Sequence, residues 1–564
     1  MIEEKGVTVT SNMQPAGTRY FDLLASAFLQ EEVEVLFALL GDANMYWASR
    51  MEERGCAAIH VRHEHCAVAA ATAYARVTGR VGVASVTCGP GLTQTMTALP
   101  AAAIARIPLV LFAGEPPLRA AWYNQMIEQA PFAIAAGAAY HRLHHPDRMA
   151  DIVRDAFLQA RDERRPVVLG VPMDLQDRML DADQALPRPA RLIQSGRKPI
   201  IPNPVDLAEV SNRIAASKRI VVLGGLGATA PGAIAAACQL AANCDGLLAT
   251  TLPARGLYWQ DEFSAGIAGG LATPIAGEIL QEADLVIAAG ASMAFHTSMG
   301  GKFWPKAEVV QISTDPVALS QGRVAADCYM QADATLALEA LVDATPARQP
   351  NWRTADLARR LREVSPFEAL GATENGIHDP RTAVAALDRA IPSDWFLINT
   401  SGHISAFTTH MRARPHDRFL TMRDFGAIGN GTSYAMGVAA ARPGQPLVLL
   451  DGDGSLMMHI QELETMARCG QKILLIALND GAYGSEIHKL RSRGFSDRGA
   501  VFGGVDFKSV AKGFGLMAER LDDLALLPDF LTRFSEQAGP ALLDLPISDQ
   551  IVSPQMDRHA RASH

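Results

Sequence analysis

Short apolar runs that end in glycine turns alternate with helical stretches along most of this chain. The clearest case is residues 447–484, LVLLDGDGSLMMHIQELETMARCGQKILLIALNDGAYG. An apolar run meets a Gly-Asp-Gly turn at 452–454, a helical stretch follows, and a second apolar run ends at Asn479. This order predicts strand, turn, helix and strand, with both strands parallel in one sheet.

The same order of parts occurs earlier in the chain, in residues 60–117. In each copy an Ala-rich helix, predicted at about 67–77 and about 432–442, precedes a strand, a glycine turn, a helix and a second strand. The turn of the first copy is Gly-Pro-Gly at 89–91. The chain therefore contains a duplicated α/β module, of which only the second copy has an acidic residue in its turn.

A third α/β region lies between the two copies. It begins at 219–230 with RIVVLGGLGATA, a strand that runs into a GxGxxA turn, and has further strand patterns at 283–289 and 308–312. This pattern predicts a Rossmann-like sheet. The turn fingerprint alone is weak evidence for a dinucleotide, and no convincing acidic residue follows the next strand.

Proline-rich stretches and a polar segment mark the boundaries between these regions. Prolines cluster at 186–189 and 198–204, and the segment 344–375 is expected to link the central region to the last one. We predict an α/β fold of three Rossmann-like, doubly wound domains with parallel sheets. Their predicted bounds are 1–185, 195–345 and 370–550.

The composition excludes several classes of partner. The chain has 564 residues, 49% hydrophobic and 20% charged, with a net charge of -9, which is typical of a globular protein and argues against nucleic acid or an anionic membrane. The charge-free stretch 81–105 is broken by glycine and proline, so it is not a membrane helix. Seven scattered cysteines without a CxxC pair, and an N-terminus without a secretory signal, predict a cytoplasmic protein.

The turn at 452–454 is suited to bind a phosphate and a metal ion. A strand that enters a glycine turn before a helix presents backbone N–H groups and the positive end of the helix to an anion. The parallel strands bring Asp453 and Asn479 to the same edge of the sheet. Their oxygens and the Gly481 carbonyl, completed by water and diphosphate oxygens, fit the octahedral shell of Mg²⁺.

This spacing resembles the motif of thiamine diphosphate-dependent enzymes, in which GDG is followed by Asn after another strand. Arg-His-Glu at 62–64, with the Gly-Pro-Gly turn, resembles the pyrimidine-binding half of the same superfamily. The resemblance covers nearly the whole chain, and it includes acetolactate synthases, pyruvate decarboxylases and benzaldehyde lyase. It implies thiamine diphosphate and Mg²⁺ as cofactors. It also implies that Glu64 hydrogen-bonds the aminopyrimidine ring and promotes its imino form.

Further cofactor contacts follow from the resemblance. Ile428 is expected to hold the cofactor in its bent form, and the Gly426 carbonyl to accept a hydrogen bond from its amino group. Gly402 and His403, in Thr-Ser-Gly-His at 400–403, resemble a second diphosphate loop. A core isoleucine and a solvated histidine remain the alternatives. The other predicted cofactor-binding residues are Gly454, Ser455, Asn479, Gly481, Ala482 and Tyr483.

The resemblance implies a C–C bond lyase or carboligase that acts on a 2-oxo acid, an acyloin or a 2-hydroxyacyl thioester. The histidine pair of decarboxylases is absent after Gly-Glu-Pro-Pro at 114–117, and no tryptophan follows the second metal motif as it does in acetolactate synthases. The substrate therefore stays open. Asp42, in Gly-Asp-Ala-Asn at 41–44, is a candidate for proton transfer near the cofactor, with an ordinary Asp-containing turn after the apolar run 35–40 as its alternative. The other candidates for acid, base or hydrogen-bonding roles near the substrate, each with a solvated surface position as its alternative, are His65, Gln125 or Gln129, Glu486 and His488.

Two other functions stay open at this point. One is an FAD-containing oxidase or synthase on the same fold, because some members of the resembled family hold FAD in the central domain. The segment 290–295 lacks the arginine seen in flavin-binding acetolactate synthases, which argues against FAD. A non-catalytic homologue is the third reading, and the presence of Glu64, Asp453 and Asn479 argues against it. The family also implies a homodimer or homotetramer, in which Glu64 of one subunit and Asp453 of another face one cofactor.

Overall fold

Three parallel six-stranded sheets form the framework of the protein. The computed structural model describes residues 13–193, 198–315, 326–363, 365–367, 370–411, 414–553 and Met556. Because most strands of the three sheets are buried along their whole length, helices must cover both faces, as is usual for parallel sheets. The predicted α/β class with three Rossmann-like domains is confirmed.

The first sheet has the strand order β3-β2-β4-β5-β7-β6, and a separate antiparallel pair joins β1 to β8. The strands are β1 (Met13–Gln14), β2 (Val35–Ala38), β3 (Ala57–His60), β4 (Gly82–Val86), β5 (Leu109–Glu115), β6 (Ala139–Arg142), β7 (Pro166–Pro172) and β8 (Gln184–Ala185). The helices are α1 (Tyr20–Gln30), α2 (Met45–Glu53), α3 (Glu64–Thr78), α4 (Pro90–Thr93), α5 (Ala98–Ile104), α6 (Ala130–Ala135), α7 (Met149–Glu163), α8 (Met173–Gln176) and α9 (Ala190–Ile193).

The central sheet has the order β11-β10-β9-β12-β13-β14. Its strands are β9 (Ile220–Gly224), β10 (Leu247–Thr250), β11 (Ser264–Ile267), β12 (Leu285–Ala289), β13 (Glu308–Ser313) and β14 (Cys328–Gln331). The helices of this part of the chain are α10 (Pro204–Ala216), α11 (Pro231–Asn243), α12 (Pro274–Glu282), α13 (Phe295–Ser298), α14 (Ala334–Ala344) and α15 (Ala355–Glu363).

The last sheet has the order β16-β15-β17-β18-β20-β19, which repeats the order of the first sheet strand for strand. The strands are β15 (Phe396–Asn399), β16 (Phe419–Thr421), β17 (Leu447–Gly452), β18 (Ile473–Asn479), β19 (Met517–Arg520) and β20 (Ala541–Pro546). The helices are α16 (Pro380–Ala390), α17 (Ser405–Thr408), α18 (Gly431–Ala441), α19 (Asp453–Met458), α20 (Glu462–Arg468), α21 (Gly484–Ser492), α22 (Phe507–Gly513) and α23 (Leu527–Glu536).

The elements predicted around the two glycine turns and in the central region are present within a few residues of their expected bounds. The prediction of a plain linker over 344–375 is wrong in part, because α15 lies inside it and buries Leu357 and Ala358 in the central core. Strong amphipathicity of this short helix explains why it packs. In the described residues no helix is both long and apolar enough to cross a membrane.

The two Ala-rich helices, α3 and α18, pack against each other in one apolar core shared by the first and last domains. Gly437 of α18 makes this close approach possible, because a Cβ there would lie only 2.1 Å from the Ala70 carbonyl oxygen of α3. A histidine contact extends the junction: a ring nitrogen of His65 lies 2.6 Å from the Asn430 side-chain oxygen. Burial lowers the pKa of His65 to about 4, so this ring is neutral at pH 7.

Gly437→Ala is expected to destabilise the protein by about 1–3 kcal/mol, because the added methyl group forces two packed backbones apart. Thermal unfolding measures this change. The matched control is Gly277→Ala in α12, where a Cβ meets nothing within 4 Å. That substitution should raise stability by about 0.5–1 kcal/mol, as usual for glycine in a helix. Equal unfolding temperatures for the two variants would contradict the packing assigned to Gly437.

Candidate active site

The turn at 452–454 lies at the carboxyl edge of the last sheet, between two neighbouring strands. Gly452 of β17 pairs with Leu478 of β18, so Asp453 and Asn479 come next to each other at this edge. Asp453 is buried, and its two carboxylate oxygens accept hydrogen bonds of 2.7 Å from the Gly454 and Gly481 N–H groups. The strand register thus places these two residues next to each other at the carboxyl ends of β17 and β18.

A second carboxyl group, that of Asp480, is in hydrogen-bonding contact with Asp453. Burial and the neighbouring charge raise the pKa of Asp480, and burial raises the pKa of Asp453. A buried and a partly buried carboxyl group in contact cannot both ionise readily unless a cation lies between or beside them. The pair therefore fits a divalent metal ion, and Asp480 is a functional candidate that the sequence analysis missed.

The side-chain amide nitrogen of Asn479 donates its hydrogen bonds to other groups of the protein. Its nitrogen donates to an Asp544 carboxylate oxygen at 2.9 Å and to the Val505 carbonyl oxygen at 3.0 Å. Its oxygen is buried and has no hydrogen-bond partner in the described part of the chain. Asn479 therefore keeps one unsatisfied oxygen, while its amide nitrogen is held by Val505 and Asp544 in the interior.

The carbonyl of Gly481 does not favour the role predicted for it. This oxygen already accepts hydrogen bonds from the Phe502 and Gly503 N–H groups, at 3.0 and 2.9 Å. The next carbonyl, that of Ala482, accepts none within the described residues. Ala482 is thus the better backbone ligand, because its lone pairs are not committed. The described residues hold no group of three His, Cys, Asp or Glu side chains suited to a metal, so phosphate or water oxygens must complete any shell.

His403 borders the same space as Asp480. A Cβ on Gly484 would lie 2.9 Å from both His403 Nδ1 and Asp480 Oδ2. His403 Nε2 accepts a 2.9 Å hydrogen bond from the Ser553 N–H, which assigns the proton to Nδ1. Nδ1 is buried without a partner in the described chain, and burial lowers the pKa of His403 to about 3. A neutral N–H donor of this kind fits a diphosphate oxygen.

The loop at 400–403 also contacts the segment that contains Ile428. Gly402 has a φ of +110°, and a Cβ there would lie 3.8 Å from Ile428 Cγ2. Gly426, with a φ of +71°, has open space around its Cβ position. The Gly429 N–H donates to Ser455 Oγ at 2.9 Å, which ties this segment to α19. The hydroxyl of Ser455 also donates to Asp451, so it is not free for a diphosphate.

Tyr483 explains why the turn needs its second glycine. A Cβ on Gly454 would lie 2.7 Å from Tyr483 Cε1, and the ring of Tyr483 also meets that of Phe502 edge to face at 5.2 Å. Tyr483 is exposed on its other side. It can therefore form part of the wall of a pocket next to the metal candidate pair.

Glu64 lies in the first copy of the duplicated module, in the first turn of α3. Its residue is half-buried, and its side chain makes no hydrogen bond or ion pair with a described residue. No hydrogen bond or ion pair joins Glu64 to Asp453 within the described part of one chain. This placement leaves the carboxyl group available to a ligand.

Hydrogen bonds within the fold distinguish the two glutamines that were predicted to contact the substrate. All polar atoms of the buried Gln129 side chain bond to the fold, its oxygen to the Gly89 N–H at 2.9 Å and its nitrogen to the Gly114 carbonyl at 3.0 Å. Gln125 bonds only weakly, as the acceptor of a 3.3 Å contact from the Cys88 thiol. Of the two glutamines, only Gln125 can therefore serve a substrate.

The remaining candidates differ in exposure. Glu486 is exposed and forms an ion pair with Lys489 at 3.6 Å. His488 is buried, its ring lies 4.5 Å from that of His403, and burial lowers its pKa. Asp42 is exposed and accepts a 3.3 Å hydrogen bond from the Tyr123 hydroxyl.

Backbone hydrogen bonds already use the N–H groups of the glycine turn in the central sheet. The Gly225 N–H donates to the Ala289 carbonyl at 2.9 Å, and the Gly227 N–H to the Gly290 carbonyl at 3.0 Å. These are N–H groups that a dinucleotide phosphate would need. FAD is therefore not favoured by this domain.

Comparison with known proteins assigns the family. Three models of thiamine pyrophosphate enzymes match the chain: the N-terminal TPP binding domain over residues 18–135, the central domain over 207–341 and the C-terminal TPP binding domain over 400–545. This chain belongs to the thiamine pyrophosphate enzymes. It is thus a thiamine diphosphate-dependent enzyme of the lyase and carboligase type, and the flavin-dependent and non-catalytic alternatives are not favoured.

Full-length relatives support the same assignment. The chain is 28% identical over 503 residues to the acetolactate synthase large subunit of Parasynechococcus marenigrum (strain WH8102), which covers 87% of this chain and 80% of the relative. It is 28% identical over 561 residues to acetolactate synthase 2, chloroplastic, of Zea mays, at 94% and 85% coverage. The match to acetolactate synthase of Arthrospira platensis is 28% over 508 residues, with 86% of each chain covered.

Proposed function

We propose that this protein is a Mg²⁺-dependent carboligase that acts on a 2-oxo acid, with pyruvate as the first substrate to test. The observation that carries the proposal is the Asp453–Asp480 carboxyl pair, which borders the same space as the unsatisfied His403 Nδ1. This arrangement is suited to one metal ion and one diphosphate. The acetolactate synthases among the relatives support a carboligase over a simple lyase.

The proposed metal ligands are the carboxylates of Asp453 and Asp480 and the carbonyl oxygen of Ala482. They replace the predicted set of Asp453, Asn479 and Gly481, because Gly481 is committed elsewhere and Asn479 faces the interior. Hard oxygen ligands of this kind suit Mg²⁺, with phosphate or water oxygens completing its shell. Asn479 would then hold the turn in place through Asp544.

The chain's own groups would bind and orient the cofactor. His403 would donate Nδ1–H to a diphosphate oxygen, the backbone at the start of α19 would bind the same group, and Ile428 would support the bent form of the cofactor beside Gly402. When bound, thiamine diphosphate supplies a carbon nucleophile for the carbonyl carbon of a 2-oxo acid.

Glu64 would hold a proton at the aminopyrimidine ring of the cofactor. Because no hydrogen bond or ion pair joins Glu64 to Asp453 among the described residues of one chain, we infer that the complete site needs a second subunit and that the protein is at least a homodimer. Gln125 would bind the substrate from the first domain, and Glu486 or His488 from α21. We also infer a cytoplasmic protein, since all seven cysteines are free.

The test is to measure cofactor binding and product formation with purified protein. Mass spectrometry of released small molecules, followed by titration with thiamine diphosphate and Mg²⁺, should give saturable, metal-dependent binding and no flavin. The loaded enzyme should then release CO₂ from pyruvate and form a new C–C bond. Binding without a ligation product from any 2-oxo acid or acyloin would contradict the carboligase, and no binding would contradict the cofactor site.

A further inference from the structure

A second cavity lies where the central domain meets the last domain. Its volume is about 510 Å³. The central domain contributes the ends of β10 and β11 with Arg255, and the last domain contributes Thr409 and His410. Leu361 of α15 and Pro366 close one side. This volume is in the range of small-molecule pockets.

The sheet is irregular where it forms the cavity wall. The pairing of β10 with β11 shifts between Leu248 and Thr250, which leaves a bulge that contains Gly266. Gly266 has a φ of +77°, and a Cβ there would meet nothing within 4 Å. The bulge therefore opens space at the sheet edge, as bulges near binding sites often do.

Arg255 provides a buried charge in this wall. Its side chain is only 8% exposed, its guanidinium lies 4.1 Å from the centre of the Phe419 ring, and one nitrogen donates to the Met411 carbonyl. The other terminal nitrogen, Nη1, has no hydrogen-bond partner in the described part of the chain. Burial lowers the pKa of Arg255 to about 10, which still leaves it charged at pH 7.

Carboxylates near the cavity are paired with other arginines. Asp388 bonds Arg414 at 2.9 Å, Asp261 lies 3.8 Å from Arg353, and Glu262 lies 3.9 Å from Arg362. Asp388 attracts Arg255 and Arg414 repels it, but Arg255 forms no ion pair with a described residue. Because Asp388 is already paired with Arg414, an anionic ligand in the adjoining cavity would offset the cost of burying the Arg255 charge.

We propose that this cavity is a second binding site, distinct from the thiamine diphosphate site, for a small organic anion with a carboxylate or phosphate group. The ligand's anionic group would pair with Arg255, and the rest of it would fill the space over Gly266. The volume exceeds what a lone inorganic ion needs, which points to a metabolite-sized ligand.

The test is calorimetric titration of the protein loaded with thiamine diphosphate and Mg²⁺. Succinate probes the carboxylate source, glycerol 2-phosphate probes the phosphate source, and succinamide is the uncharged control. We expect one of the two anions to bind saturably and succinamide not to bind. No saturable binding of either anion would overturn the proposal.

Two variants locate the site. Arg255→Gln should weaken anion binding about tenfold, the loss expected for one charged hydrogen bond. Gly266→Asn should weaken it similarly by filling the cavity, since Asn tolerates a positive φ. The controls are Arg213→Gln, a partly buried arginine of α10 that pairs with Glu209 and Glu308, and Gly444→Asn, which has a φ of +74° and open space. Anion affinity unchanged in Gly266→Asn, or equally reduced in the controls, would overturn the assignment even if Arg255→Gln fails to fold.

Discussion

Glu64→Gln should lower turnover by roughly a hundred- to ten-thousand-fold, the range expected when a general acid–base group is removed. Glutamine keeps the size of the side chain but cannot exchange a proton with the aminopyrimidine ring. Within the described chain Glu64 makes no hydrogen bond or ion pair, so stability should change by no more than about 0.5 kcal/mol. Steady-state kinetics with thermal unfolding on the same samples measures both effects.

A more direct readout is the rate at which the C2 proton of bound thiamine diphosphate exchanges with deuterium. This rate should fall in Glu64→Gln even when the cofactor is saturating. The matched control is Glu53→Gln, an exposed glutamate in the same domain that pairs with Arg50. Full turnover in Glu64→Gln, or an equal loss in Glu53→Gln, would contradict the role proposed for Glu64.

The fold was largely predictable because each buried strand is a short apolar run that ends at a glycine turn. The strand ends at Gly452 and Asn479 and the two Ala-rich helices could be located in this way. The helix α15 was missed because it is short and rich in arginine, and its few apolar residues give little signal. Its apolar stripe becomes visible only against the central core that covers it.

The metal ligands were harder to predict for a related reason. Every residue of β18 is buried, so the strand has no alternation that would tell which way Asn479 points. The structure directs its amide towards Asp544 and leaves the next residue, Asp480, beside Asp453. The available signal was the Asn-Asp-Gly sequence itself, in which either polar residue could have been the ligand.

The residues predicted to contact the substrate could not be chosen from the sequence either. Gln125 and Gln129 are equivalent in sequence, and only the surrounding fold shows that Gln129 is committed to Gly89 and Gly114. A polar side chain is available for catalysis only when the fold does not use it. Three-dimensional contacts are needed to tell which polar atoms already have hydrogen-bond partners, and hydropathy patterns do not contain those contacts.

The carboxyl pair also sets how stability depends on pH in the metal-free protein. The pKa values of Asp453 and Asp480 are raised on folding, so above about pH 4 the folded chain holds protons that the unfolded chain has lost. The free energy of unfolding should therefore fall as the pH rises from about 4 through the raised pKa values. Saturating Mg²⁺ and thiamine diphosphate should reverse this trend, because they favour the ionised pair.

Asp480→Ala is expected to separate these two effects. In the metal-free protein at pH 8 it should raise stability by on the order of 1 kcal/mol, because it removes one of two competing charges. At the same time it should abolish most of the stabilisation by Mg²⁺ and thiamine diphosphate, about 2.7 kcal/mol at a hundred times the dissociation constant for an intact site, because alanine has no oxygen to bind the metal. Thermal unfolding with and without both ligands, at pH 5 and pH 8, measures both changes. Asp522→Ala, which removes an exposed carboxylate paired with Arg520, is the control and should leave the ligand stabilisation unchanged. Full ligand stabilisation in Asp480→Ala would contradict the role of Asp480 as a metal ligand.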